Sequence, residues 1–113
     1  MRIAFDHQIF TIQEYGGISR YFVELARRLP ALSCRVHFLA GVYRNQYLAD
    51  GGGGEWIWGW HFPLHIPRTT RVRDFLNSVA CAHRAQLWQP DIIHETYYGR
   101  PYLLGRRVPR IVT

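Results

Sequence analysis

The feature that most restricts the fold is the run of residues 2–29, RIAFDHQIFTIQEYGGISRYFVELARRL. Ile3, Ala4 and Phe5 form a short apolar strand, Asp6 opens a polar loop, Gly16 and Gly17 turn the chain, and an amphipathic helix follows. Ile18, Phe22, Leu25, Ala26 and Leu29 recur at helical spacing and predict one apolar stripe broad enough to lie on a sheet. Pro30 stops that helix. On its outer face, Arg20, Glu24 and Arg28 stand four residues apart with alternating charge, which adds a few tenths of a kcal/mol per pair.

A glycine pair at a helix entrance removes two Cβ atoms where main-chain N–H groups have no intrahelical partner, so an anion such as a phosphate can approach them. A tight turn with positive φ is the competing explanation of Gly16 and Gly17. Their position favours the first: a strand, a loop and a glycine-led helix put them at the carboxyl end of a strand, where open α/β sheets bind ligands. The spacing matches neither G-x-G-x-x-G nor G-x-x-x-x-G-K-[ST], which argues against nicotinamide and P-loop chemistry.

The run of residues 2–29 resembles the start of the family 4 glycosyltransferases, retaining enzymes of GT-B fold, and PDIIHETYY at 90–98 resembles their next marker strand. Within the first run, GGISRYFVELA is the more specific part. The resemblance implies a parallel, doubly wound, Rossmann-like α/β sheet with flanking helices, here part of an amino-terminal GT-B domain on the acceptor side of a cleft. It further implies transfer of a sugar from a nucleotide-sugar donor to a glycan or lipid-linked acceptor, with no metal or other cofactor. Gly16 and Gly17 would serve the donor's phosphate and sugar. Asp6, His7 and Glu14 in the first loop, and Glu95, Tyr97 and Tyr98 in a later one, are candidate acceptor contacts.

The 113 residues suffice for one domain with a modest core. Nearly half are apolar, which excludes disorder as the general state. No apolar run approaches a membrane span and no signal-like segment opens the chain, so a cytoplasmic location is expected. Cys34 and Cys81 have no close-spaced partner and read as buried, reduced thiols. The net charge of +6 rests on fourteen arginines and no lysine. Arg68, Arg71 and Arg73 crowd one segment and Arg106, Arg107 and Arg110 another; a solvated basic face is the plain explanation, and peripheral contact with an anionic membrane the functional one. No recognised nucleic-acid module interleaves them with aromatics, so nucleic acid is not expected as a partner.

Residues 34–40 (CRVHFLA) predict a second strand and complete a right-handed, parallel βαβ unit. Residues 41–67 break the regularity: Gly51 to Gly54 suggest a hinge, and Trp56, Trp58 and Trp60 would share one side of an extended lid that packs on the core or meets a ligand. Residues 69–89 predict a long helix with Val72, Phe75, Leu76, Val79, Ala80, His83 and Leu87 on the buried stripe, ended by Pro90. His83 reads there as a hydrogen-bonded core residue. Residues 91–94 (DIIH) predict a third strand, with His94 and Glu95 reaching the ligand edge but facing opposite sides. The segment from Val108 begins another strand, and a chain stopping there is expected to be an amino-terminal fragment whose donor-binding domain lies elsewhere. Two other classes compete. One is a non-catalytic α/β binding module, either response-regulator-like or membrane-docking, of which the regulator version needs acids at strand ends, where only Asp6 qualifies; the other, a nucleotide-cofactor oxidoreductase, lacks its glycine fingerprint.

Overall fold

The computed structural model describes residues 1–50, 56–62, 68–97 and 108–112. Five strands, β1 (Arg2–Phe5), β2 (Arg35–Tyr43), β3 (Ile57–His61), β4 (Ile92–Glu95) and β5 (Arg110–Val112), form one sheet in the order β3-β2-β1-β4-β5. Every pair is parallel. Helices α1 (Gln8–Ile12), α2 (Gly17–Arg28) and α3 (Gln46–Asp50) belong to one face of the sheet and α4 (Thr70–Trp88) to the other. The Rossmann-like, doubly wound reading therefore holds. The chain builds outward from β1 to β3, then crosses back to β4, so the order reverses between β1 and β4.

Alternation along β1 sorts the two cores. Phe5 joins Phe22, Val23 and Ala26 of α2, Ile9 and Phe10 of α1, and Phe38 of β2 on the first face. Ala4 meets Leu39, Ile93, Cys81 and Ala85 on the second. The first core is aromatic: Phe5 stacks on Phe38 with centroids 5.1 Å apart, and Phe10 meets Phe38 edge-on at the same separation.

Four local readings change. The polar loop after Asp6 holds a short helix, because Ile9 and Phe10 supply apolar surface that the sheet buries completely. The α2 stripe is turned toward Ser19, which is buried because its hydroxyl donates to the Gly16 carbonyl (2.9 Å), while Ile18 is 48% exposed. Glu24 pairs with Arg27 at 2.9 Å rather than bridging Arg20 and Arg28. Cys34 is only half-buried, whereas Cys81 is buried; both are free thiols.

Residues 41–61 hold more regular structure than their glycines suggest. β2 runs on to Tyr43, and the tryptophan segment is itself a strand, β3, paired with it. At the register shift after Leu39, Gly41 lies opposite Gly59 with φ of +60° and +150°. A Cβ on Gly59 would strike the Gly41 main chain, and one on Gly41 would strike the Asn77 side chain, so both positions, each at positive φ, need glycine. Trp56 packs on Phe38 on the first face and Trp58 with the second core, so the tryptophans do not share one side. Gly51 to Gly54 lie outside the described residues.

The largest correction concerns α4. Val72, Phe75, Leu76, Val79 and Leu87 are 53 to 67% exposed, and His83 is exposed with them. The opposite side faces the sheet through Asn77, Cys81 and Ala85. Asn77 decides this orientation: its Oδ1 accepts from Val42 N–H and its Nδ2 donates to the Val42 carbonyl, both at 3.0 Å, beside the Gly41 irregularity. Cys81 Sγ donates to the Leu39 carbonyl at 3.0 Å. Small side chains let the helix come close enough to make these bonds, and the bulky stripe is left outward. Gln89 in the left-handed region caps α4 ahead of Pro90. No described helix is long and apolar enough to cross a membrane.

Asn77→Ala removes both bonds to Val42 and leaves the half-buried Val42 main-chain groups without these partners, which costs about 2 kcal/mol. A fall in melting temperature on the order of 10 °C is expected for a chain of this size. Ser78→Ala loses only a bond to its own helix, to the Asp74 carbonyl, and should melt within a few degrees of the parent.

Candidate functional site

The order reversal puts the ends of β1 and β4 side by side, and the residues directly beyond each strand build the carboxyl edge. After β1 come Asp6 and His7, each 1% exposed. Asp6 Oδ1 accepts from Thr96 N–H (2.9 Å) and Thr96 Oγ1 (2.6 Å), and Oδ2 accepts from Gln8 Nε2 (2.5 Å). Thr96 Oγ1 also accepts from Ile9 N–H at 3.1 Å. The Asp6 N–H donates to the His94 carbonyl at 3.2 Å. Asp6 thus joins the exit of β1 to the exit of β4. Burial raises its pKa, and the bonds from Gln8 and Thr96 work against that rise. Burial pushes His7 down to about 4, so it is neutral at pH 7. Both candidates lie inside the edge, beneath its surface.

The next loop joins this edge to β2. Glu14 reaches Arg44 at 3.5 Å with an exposed carboxylate, and its carbonyl accepts from Gln46 N–H at 2.8 Å. Fully buried Asn45 donates from Nδ2 to the Gln13 carbonyl (2.9 Å) and accepts from Leu48 N–H (3.0 Å), fixing the loop and starting α3 together. The loop delivers Gly16 and Gly17 to the start of α2.

Neither glycine has the positive φ that a strained turn would require: Gly16 is extended (φ 178°) and Gly17 is the first helical residue. A Cβ on Gly16 would collide with the Gln13 side chain, whereas one on Gly17 meets nothing within 4 Å. Among the described residues no side chain caps α2 and no acid stands in its first turn, while Arg27 and Arg28 occupy the last. The first helical N–H groups therefore carry the positive end of the helix dipole beside open space.

The β4 candidates divide as the pleat dictates. His94 stacks on Phe5 at 5.3 Å and meets Phe22 edge-on at 5.0 Å, packed under α2, and burial lowers its pKa. Glu95 points the other way to Arg110 of β5 at 3.3 Å. Tyr97 is 40% exposed at the rim. Tyr98, Arg100, Tyr102, Arg106 and Arg107 lie outside the described residues. Thr96, Gln8, Arg44 and Asn45 are site-building residues that pattern reading missed. The available signal was polarity directly after an apolar strand: Thr96 follows β4 as Asp6 follows β1.

Thr96→Val keeps the shape but strips one hydroxyl from Asp6 and from Ile9 N–H, and a loss of about 3 kcal/mol is expected in urea unfolding. The pH dependence has a defined sign. His7 and His37, both pushed down to about 4 by burial and His37 also by the Arg84 charge, bind fewer protons folded than unfolded between pH 6.5 and 4. Their contribution is complete above pH 6.5 and drains as pH falls toward 4, by up to about 1.4 kcal/mol per unit for each. Asp6, with its raised pKa, acts in the opposite direction. Stability should therefore fall between pH 7 and pH 5, less steeply than the two histidines alone would make it, and His7→Gln should flatten the difference.

A family model described as Glycosyltransferase Family 4 matches residues 15–113, from just before the glycine pair through β5. A comparison with curated proteins found no significant match. The glycine-led helix, the parallel order reversing at β1 and β4, and a match over most of the chain agree: the chain belongs to glycosyltransferase family 4.

Proposed function

We propose that the chain forms the acceptor-side part of a retaining, metal-independent glycosyltransferase that moves a sugar, of hexose type, from a nucleotide-sugar donor to a glycan or lipid-linked acceptor. The observation that carries this reading is the uncapped start of α2 at Gly16 and Gly17, with open space where a Cβ on Gly17 would stand. As the glycosidic bond of the donor breaks, negative charge grows on the departing phosphate. Preorganised N–H groups at a helix start stabilise that charge without reorganising. Glu14 and Tyr97, at the rim, are the acceptor contacts of this reading. Asp6 and His7 act beneath them by holding the first loop, and Glu95 by its tie to Arg110. A donor-binding lobe would close the cleft from the opposite side.

A peripheral membrane contact fits a second observation: the outward stripe of α4 sets Val72, Phe75, Leu76 and Val79 beside exposed Arg68 and Arg71. Apolar insertion flanked by arginines suits an anionic leaflet, at about 1 kcal/mol per charge near the surface. On this reading the enzyme works in the cytoplasm at the inner face of the membrane, in polysaccharide assembly.

Gly17→Ala separates catalysis from folding. Its methyl group meets no atom, so the melting temperature should hold or rise, while kcat of the active transferase falls about a hundredfold and acceptor KM stays unchanged. An unchanged kcat would contradict the phosphate role. For the membrane contact, cosedimentation with phosphatidylglycerol vesicles should exceed that with phosphatidylcholine, and Arg71→Glu with Phe75→Ser should weaken it about tenfold or more.

A further inference from the structure

The loop between α1 and α2 is fixed by residues that follow β2. Asn45 Nδ2 donates to the Gln13 carbonyl at 2.9 Å, and Gln46 N–H donates to the Glu14 carbonyl at 2.8 Å. The two side chains that come next along this pinned main chain both turn toward residues 44–47. Glu14 reaches Arg44 at 3.5 Å, and the Tyr15 ring meets the Tyr47 ring with centroids 5.6 Å apart and 87° between planes. Tyr47 is half-buried and packs on the first core. Tyr15 is thus tied to the body of the protein through a second aromatic ring.

Held in this way, Tyr15 is still 61% exposed and belongs to neither core. Two rings set edge to face leave at least one face of Tyr15 clear of Tyr47, whichever ring supplies the edge. On the same flank of the loop the Glu14 side chain is 44% exposed, and its Oε1 accepts no hydrogen bond among the described residues. A braced aromatic face beside an open carboxylate suits a sugar. A pyranose ring presents C–H groups on its face, which pack on an aromatic surface, and hydroxyl donors around its rim, which a carboxylate accepts. An acyl chain would give Glu14 no role, and the phosphates of a nucleotide would be repelled by it.

We propose that Tyr15 is the stacking platform for the terminal sugar ring of the acceptor, with Glu14 accepting from its hydroxyls and Tyr47 positioning the platform. The proposal rests on the transferase reading and adds what the acceptor is recognised by: a pyranose ring, not a lipid chain. Tyr15 stands two residues before Gly17, at most about 7 Å away along the chain. A sugar on its ring therefore lies next to the helix start to which the donor's phosphate is assigned.

Titration of the chain, isotope-labelled at tyrosine, with the methyl glycosides of glucose, galactose, mannose and N-acetylglucosamine reads the platform by nuclear magnetic resonance. At least one glycoside should shift the Tyr15 ring signals saturably and have its own ring C–H protons moved upfield. Cyclohexanol, an apolar ring without the hydroxyl rim, should do neither. Tyr15→Phe should keep the binding, Tyr15→Ala should abolish it, and Glu14→Gln should weaken it about tenfold, as for loss of one charge-assisted bond, with the circular dichroism unchanged. Tyr47→Phe, which keeps the brace, should bind as the parent does, and Tyr47→Ala should bind more weakly. In the active transferase, Tyr15→Ala should raise acceptor KM about tenfold and leave donor KM as it was. A Tyr15 ring that answers none of the glycosides, or answers cyclohexanol equally, would overturn the proposal. Shifts of the Gly17 amide with inorganic pyrophosphate would then still support the phosphate role, whereas glycoside binding at Tyr15 without them would keep the platform and remove that role.

Discussion

The carboxylate of Asp6 is the contact on which the arrangement of the sheet depends. β1 and β4 are neighbours in space but are separated in sequence by two strands and four helices, and a parallel pair needs its register fixed by something beyond the ladder. Asp6 supplies this by accepting from both the N–H and the hydroxyl of Thr96 directly beyond β4. Through Gln8 and the Thr96–Ile9 bond the same group starts α1, whose Ile9 and Phe10 complete the aromatic core. A buried carboxyl is unfavourable unless its lone pairs are satisfied, and here several donors converge on it. The crevice at the switch point is therefore held from below by a polar network and from the side by packed phenyl rings.

The opposite face obeys a different rule. On the α2 side, large side chains set the spacing between helix and sheet. On the α4 side, small ones do, and specificity comes from Asn77 reading the main chain of β2 at its one irregularity. Gly41 and Gly59 allow that irregularity because no side chain stands between the two strands. Close approach at Asn77, Cys81 and Ala85 leaves the bulky residues of α4 facing out, which gives this helix an apolar outer face.

Much of this was legible in the sequence. Apolar strands, Pro30, Pro90 and the glycine-led helix gave element type and order, since each is a local signal with a local cause. The resemblance in GGISRYFVELA carried the family. What pattern reading missed depended on partners far along the chain. The stripe of α4 is amphipathic by spacing, but periodicity says only that a helix has two faces, and Asn77 selects the face through a residue 35 positions away. β3 was hidden because tryptophans separated by glycine suggest a lid, and only the facing Gly41 shows why glycine stands within a strand. Asp6 and His7 stand directly beyond β1 at the carboxyl edge of the sheet, yet their depth beneath it comes with Thr96, which no local pattern links to them.

The central claim is that the first turn of α2 receives the donor's phosphate through main-chain N–H groups. Amide chemical shifts of the isotope-labelled chain, monitored during titration with uridine diphosphate and with inorganic pyrophosphate, test it most directly. The account predicts saturable shifts for both ligands at Gly17, Ile18 and Ser19, with Val36 and His37 at the far edge unmoved. Shifts absent from the start of α2, or concentrated at the arginine-rich far edge, would contradict it.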